Sequence, residues 1–493
     1  MRVRTTIGLL VLLLGLIGYV CWVEVPKAQQ EAKKKTLFEF KADDATDVSL
    51  AYDDREIVLK KSGTDWRITK PIDAAADNSS VNNLVTAIAD CEVKKELTDA
   101  SSDLSQYGLD KPFVTIHVKL KDKELPAVSV GKNAPVGFAT YVQKADDKKI
   151  VLASSAFRSG MDKKVKDLRD KTIVSFDDKD VQKVQLHGEK KDVTLAQKDG
   201  HWDIEQPGPY AADGDTVRSF LSTLRSMRAV DFPADQPTDL STYGLDAPQL
   251  TITLYLGKDN TEKRLLFGKQ TDKKEVYVQG SGQPTVYTVS DWVMRDVGKD
   301  VPDFRDKTVL AFDRDKLTAV EGKRKDGGHF KLVRGEDKQW RVEGETAKPV
   351  ETAITQYVSD LHDLKGYEIA ADHPTDLAAL GLDTPVLTLT AFGEDNKAVG
   401  TVLLGLRPGG AKKDYTAMSE GGPTAFLIRD YLFTRLDKHA PDFVEKPTPA
   451  SGAPTPASPG DVGAAEPDAG QPDADEPADD GGADEDAPAD EQG

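Results

Sequence analysis

Polar and apolar residues alternate in short runs along most of the chain. Asp47-Val48-Ser49-Leu50-Ala51-Tyr52 and Glu56-Ile57-Val58-Leu59-Lys60 place apolar side chains two apart, the spacing of strands with one buried face. They predict a hairpin followed by a strand through Trp66. The period then lengthens: Val81, Leu84, Val85 and Ile88 fall at i, i+3, i+4 and i+7, a single apolar stripe on a helix packed against a sheet. Ser79 or Ser80 is the expected N-cap. Alternation returns with Val114, Ile116 and Val118 pointing inward, and two or three more strands and a closing helix near Phe157–Val165 complete the unit.

The whole pattern occurs three times. Asp103-Leu104-Ser105-Gln106-Tyr107-Gly108-Leu109-Asp110-Lys111-Pro112 returns from Asp239 to Pro248, and again from Asp376 to Pro385. Asp167-Leu168-Arg169-Asp170-Lys171-Thr172 returns as Asp303-Phe304-Arg305-Asp306-Lys307-Thr308 and shrinks to Asp442-Phe443 in the last copy. Trp66, Trp202 and Trp340 recur with it, as do Gly131, Gly268 and Gly405. The helix stripe becomes Val217, Phe220, Leu221 and Leu224, with Asp213 or Asp215 as cap, and then Ile354, Tyr357, Val358 and Leu361. The inward strand positions become Leu250, Ile252 and Leu254, then Leu387, Leu389 and Ala391. A period this long exceeds that of solenoids, so each copy is a domain. The expected organisation is residues 1–35, three repeats at 36–171, 172–307 and 308–445, and a tail at 446–493. The expected fold class is α+β, each repeat a mainly antiparallel sheet with a helix.

The two ends differ from the body. Thr5 to Val23 is an uncharged run of nineteen residues, rich in Leu, Ile and Val, with Tyr19 and Trp22 near its far end. As a helix it would span about 28 Å, close to the ~30 Å of a hydrocarbon core. Trp22-Val23-Glu24-Val25-Pro26 makes a poor cleavage site, so the run reads as a retained anchor rather than a removed signal peptide. Gly18-Tyr19-Val20 places bulky residues before Cys21 and argues against lipid attachment there. Counting Lys and Arg keeps the C-terminal side in the cytoplasm, whereas the short Arg2/Arg4 segment favours export; charge leaves the orientation open. The tail from Pro447 carries 13 acidic and no basic residues, and almost no large apolar ones, so it is expected to be disordered.

Composition narrows the function classes. The 493 residues carry a net charge of −19, which argues against a nucleic-acid binder. Two cysteines support neither a disulfide framework nor a four-thiolate metal site. The repeats also act as an internal control. His117 has Thr253 and Thr390 as siblings, the pattern of an outward polar position; Cys91 has Met227 and Leu364, the pattern of a buried apolar thiol. The seven histidines show no i, i+4 ligand pair, and Val130-Gly131-Lys132 is a turn rather than a phosphate loop. No catalytic residue, metal or cofactor is expected. The strongest local signature is the Tyr-Gly-Leu-Asp turn, which has a structural reading and a functional one as a repeated interaction edge: Tyr107, Gly108, Leu109 and Asp110, with Tyr243, Gly244, Leu245 and Asp246.

An N-terminal span followed by repeats with Trp-x-Ile-x-x-Pro (Trp66 to Pro71, Trp202 to Pro207) and Leu-x-x-Tyr-Gly-Leu-Asp-x-Pro resembles the bacterial domain of unknown function 4340 family. The resemblance covers residues 1–445. The third copy departs from it: Trp340-Arg341-Val342-Glu343-Gly344-Glu345 lacks the proline, and Leu380 replaces the tyrosine. The resemblance implies an uncharacterised envelope protein tethered to the inner membrane through residues 5–23, its body in the periplasm. It further implies association with ABC-type transport subunits related to gliding motility. The leading expectation is a non-enzymatic scaffold or auxiliary subunit of such a complex. An envelope-polymer-binding module is second, and a carboxylate-based hydrolase third.

Overall fold

The computed structural model describes residues 35–98, 101–189, 191–409 and 414–446. The apolar run 5–23, Cys21 and the acidic tail lie outside these. Among the described residues no helix is long and apolar enough to cross a membrane.

In the first repeat the alternating runs form β1 (Ala45–Ala51), β2 (Glu56–Ser62), β3 (Asp65–Lys70), β4 (Ala74–Ala75), β5 (Lys95–Glu96), β6 (Val114–Leu120), β7 (Val128–Asn133), β8 (Ala139–Lys144) and β9 (Ile150–Ser154). They make one sheet in the order β4-β3-β2-β1-β6-β7-β8-β9-β5, and every neighbouring pair is antiparallel. Register follows the apolar alternation. Val48 faces Leu59 on one side and Val118 on the other, and Leu50 faces Ile57 and Ile116. All six are at most 2% exposed. Cross-strand apolar pairs on one face thus fix the register, since a slip of one residue would turn them all to water.

The helix Asn78–Ala89 lies on that face and buries Val81, Leu84, Val85 and Ile88, the stripe expected from the sequence. Its cap differs from expectation. The Asp77 carboxylate, rather than Ser79 or Ser80, accepts from the Ser80 amide at 2.6 Å, because the helix starts two or three residues earlier. Asp213 caps Gly214–Ser226 in the same way, whereas Val350, before Glu351–His362, offers no side-chain cap.

The second repeat repeats the nine-stranded order, and the third has eight strands, without a counterpart of β4. There the Trp340–Val342 strand is three residues long and no proline follows. The expected α+β class is met by three mainly antiparallel sheets, but strand content exceeds expectation. Short edge strands such as β4 and β5 have too few residues to show a period. The cores run from Leu37 to Leu168, Ile173 to Phe304 and Val309 to Val444.

Asp77→Ala should lower the opening free energy of the helix 78–89 by about 1 kcal/mol, whereas Val350→Ala should change its own helix by less than about 0.5 kcal/mol. Hydrogen exchange resolved by repeat checks both.

Candidate functional site at the turns and joints of the repeats

Two features recur with the repeat: the Tyr-Gly-Leu-Asp turn and the segment joining each domain to the next. In the turn, Leu104–Tyr107 forms a single 3-10 turn, and the Asp103 carboxylate accepts from the Ser105 amide and hydroxyl at 3.1 and 2.7 Å. The Ser105 hydroxyl, then its amide, hold the Asp103 carboxyl below the usual range, and Ser241 does the same for Asp239. Gly108 then reverses the chain at φ 63°, with Gly244 and Gly381 at 65° and 68°, a conformation that favours glycine.

The turn packs on its own sheet. A Cβ at Gly131 would lie 2.2 Å from the Tyr107 carbonyl oxygen, and one at Gly268 would lie 2.2 Å from that of Tyr243. Val130-Gly131-Lys132, expected at a turn, lies inside β7, and the recurrent strand glycines are spaces for the turn backbone that packs on them. Leu109 and Leu245 are buried, and the Tyr107 and Tyr243 rings meet Tyr141 and Tyr277 edge to face at 5.0 and 5.1 Å. The Tyr107 hydroxyl accepts from the Ser101 amide at 2.8 Å. Leu380 replaces the tyrosine in the third repeat and is buried beside Leu382 and Met418. Of the candidate interaction residues, Asp110 and Asp246 are exposed, while Tyr107, Gly108, Tyr243 and Gly244 are half-buried.

The joints carry the charge chemistry. Each linking segment bridges the domain it leaves (Ala76 with Arg169, Ala212 with Arg305) and the one it enters (Thr172 with Arg228, Thr308 with Lys365). Arg169 is 9% exposed and Arg305 7%. Arg169 ion-pairs with Asp235 of the second repeat and lies 4.1 Å over the Phe232 ring. Arg305 donates to both oxygens of Asp372 in the third repeat at 2.6 and 2.7 Å, and to the Thr424 hydroxyl at 3.0 Å. It also lies 4.0 Å over Tyr210 of the repeat it leaves. Planar, bidentate pairing of this kind is the preferred use of a guanidinium over an ammonium. Lys166–Asp231 at 3.0 Å and Lys365–Asp213 at 2.8 Å reinforce the two joints. The Arg305 hydrogen bonds hold the Asp372 carboxyl below its usual range.

The Asp-x-Arg-Asp-Lys-Thr marker is visible in the sequence, but its role is not, because its partners Asp235 and Asp372 lie 66 and 67 residues further on. One signal was available. The arginine is kept in the first two repeats, each followed by another, and is Val444 in the third.

Elsewhere, His117 is exposed on its strand, and Cys91 is buried, with burial pushing its thiol up to about 12. Among the described residues no three His, Cys, Asp or Glu side chains are grouped to hold a metal ion. A cleft of about 530 Å³ at the second joint is lined by Tyr210, Arg305, His373 and Thr424.

Antiparallel sheets repeated three times and locked end to end define a tandem-domain protein. The chain matches the family described as Domain of unknown function (DUF4340) over residues 66–206, 202–370 and 351–448, and it belongs to that family. No curated protein shows significant similarity to it. Among solved structures, a DNA polymerase sliding clamp from Pseudomonas aeruginosa aligns over 80% of this chain and 94% of its own, at 6% identity and a TM-score of 0.13. A griselimycin-bound sliding clamp from the same organism has the same coverage and identity, with a TM-score of 0.12. Such values carry no argument about this chain.

Gly131→Ala should displace the turn and destabilise the first repeat by about 1–3 kcal/mol, read by thermal unfolding. Arg305→Ala should cost about 1–3 kcal/mol at the second joint, raising hydrogen exchange around Asp372 with little change in the first repeat. Because the Asp372 carboxyl is lowered in the folded state, its contribution is complete above the unfolded Asp value near 4 and is lost as pH falls through the lower folded value. Exchange at the second joint should therefore rise on acidification below about pH 4 in the native protein and show no such step in Arg305→Ala.

Proposed function

We propose that the protein is a membrane-anchored envelope scaffold or auxiliary subunit, held by residues 5–23 with its body in the periplasm, that serves an ABC-type transport complex. The observation that carries this reading is the pair of arginine joints. A chain whose successive domains are fastened by nearly buried arginines paired to half-exposed aspartates holds them at fixed separations, which suits a spacer that positions partners. The family resemblance supports the envelope address and the transport association. The test is crosslinking in intact cells followed by affinity purification of the full-length protein and mass spectrometry. ABC-type membrane and ATPase subunits should be recovered, and their recovery should fall in Arg169→Ala/Arg305→Ala. Absence of transporter subunits from the crosslinked material would reject the transport association.

One observation favours an envelope-polymer-binding module as a second reading. Trp292 and Tyr431 are 46% and 57% exposed at matching positions of the closing helices Trp292–Val297 and Asp430–Leu436. Exposed rings stack on sugar faces, so this reading expects retention of the protein by peptidoglycan or polysaccharide and loss of retention in Trp292→Ala/Tyr431→Ala. Equal retention of the variant would set it aside.

A further inference from the structure

The hairpin between β7 and β8 ends in Ala134-Pro135-Val136-Gly137-Phe138, and Val136 and Phe138 are 80% and 88% exposed. They are the two most exposed large apolar side chains among the described residues. Phe138 sits at φ 45°, a conformation that bulky residues rarely adopt, and its carbonyl accepts from the Ser155 amide at 3.0 Å and from Lys94 Nζ at 3.2 Å. The second repeat has the same hairpin. Lys274 holds φ 59° with its carbonyl accepting from the Asp291 amide, but its tip reads Thr271-Asp272-Lys273-Lys274. The third repeat reads Arg407-Pro408-Gly409-Gly410-Ala411-Lys412-Lys413-Asp414. The first two repeats thus share the backbone, and the apolar tip belongs to the first.

Its position gives the tip a partner. In the second repeat this hairpin shares a cleft with Asp231 and Phe232, which receive Lys166 and Arg169 from the preceding repeat. In the first repeat the described residues begin at Lys35. The corresponding edge instead receives the chain arriving from the N-terminus: the Val93 amide donates to the Lys35 carbonyl, and Lys35 and Lys149 both pair with Glu96. The apolar run ends at Val23, so the twelve residues from Glu24 to Lys35 hold this edge within at most about 40 Å of it.

We propose that Val136 and Phe138 dip into the lipid surface beside the anchor, with Lys35, Lys94 and Lys149 facing the headgroups. An apolar tip with one lysine on its backbone and two more along the same edge suits an anionic bilayer interface. The inference rests on the reading of residues 5–23 as a membrane anchor. The test places an environment-sensitive fluorophore at Phe138→Cys in the full chain, with Cys21→Ser and the buried Cys91 left in place. The chain is reconstituted in phosphatidylethanolamine/phosphatidylglycerol vesicles holding a nitroxide lipid, with a probe at Lys274→Cys as control. The expected result is lipid quenching and a blue shift at 138 and neither at 274. Equal, water-like emission at both would overturn the proposal, as would shielding at 138 without lipid quenching, which marks a protein partner. Carbonate extraction reads the anchor separately, and quenching at 138 decides the loop in either case. Residues 36–445 hold three complete cores and therefore fold apart from the anchor. Val136→Asp/Phe138→Lys in that fragment gives the tip the residues its sibling already accommodates, and should lower vesicle affinity by about tenfold. Unchanged affinity would also overturn the proposal.

Discussion

Each repeat must close a nine- or eight-stranded sheet over a single long helix, and the rest of the molecule follows from that constraint. Nine strands laid flat would be about 38 Å wide, whereas a twelve-residue helix is about 18 Å long and some 10 Å across. Yet side chains from β1, β2, β3, β6, β7, β8 and β9 all meet that helix in one core. The sheet therefore has to curl. Register shifts at Ala45/Asp47 and Val130/Asn133 recur at Val181/Lys183 and Phe267/Gln270, and an extra residue of this kind bends a strand and increases its twist.

A curled sheet leaves its other face to be dealt with, and the turn and the joints divide that work. The turn lies on the strand glycine and brings Leu109 or its siblings down beside it. The joint uses the edge left free when the helix ends, so that each domain's last residues become part of the next domain's wall. The third repeat receives a joint through Asp372 and offers none of its own. It lacks the cap, the proline, one strand and the arginine, and still buries a full core.

What the chain disclosed about itself depended on distance. Alternation and the helical stripe are local, and they placed the inward residues from Val81 to Ile88 and from Val114 to Val118 correctly in all three copies. The siblings of Cys91 identified a buried position without any structure, whereas His117 is exposed although its sibling Thr253 is buried. The two-residue strands β4 and β5 escaped because pairing across the sheet, rather than any periodicity of their own, defines them. The cap moved to Asp77 because helix ends are set by a hydrogen bond that serine and aspartate compete to make. The joints were hidden for a further reason: Arg169 and Asp235 belong to different copies, so a comparison of copies sees the marker but never the pair.

The joint also has a direction. Its cation lies at the C-terminal end of one domain and its carboxylate near the middle of the next, so the contact joins two different surfaces rather than one self-complementary one. Contacts of that kind do not close on themselves, and molecules able to continue them build open filaments. The side chain that replaces arginine in the last copy is Val444, which has no hydrogen to donate and is folded into its own core. The third repeat therefore holds a buried valine where the first two present a cation, and a joint of this kind cannot start from it.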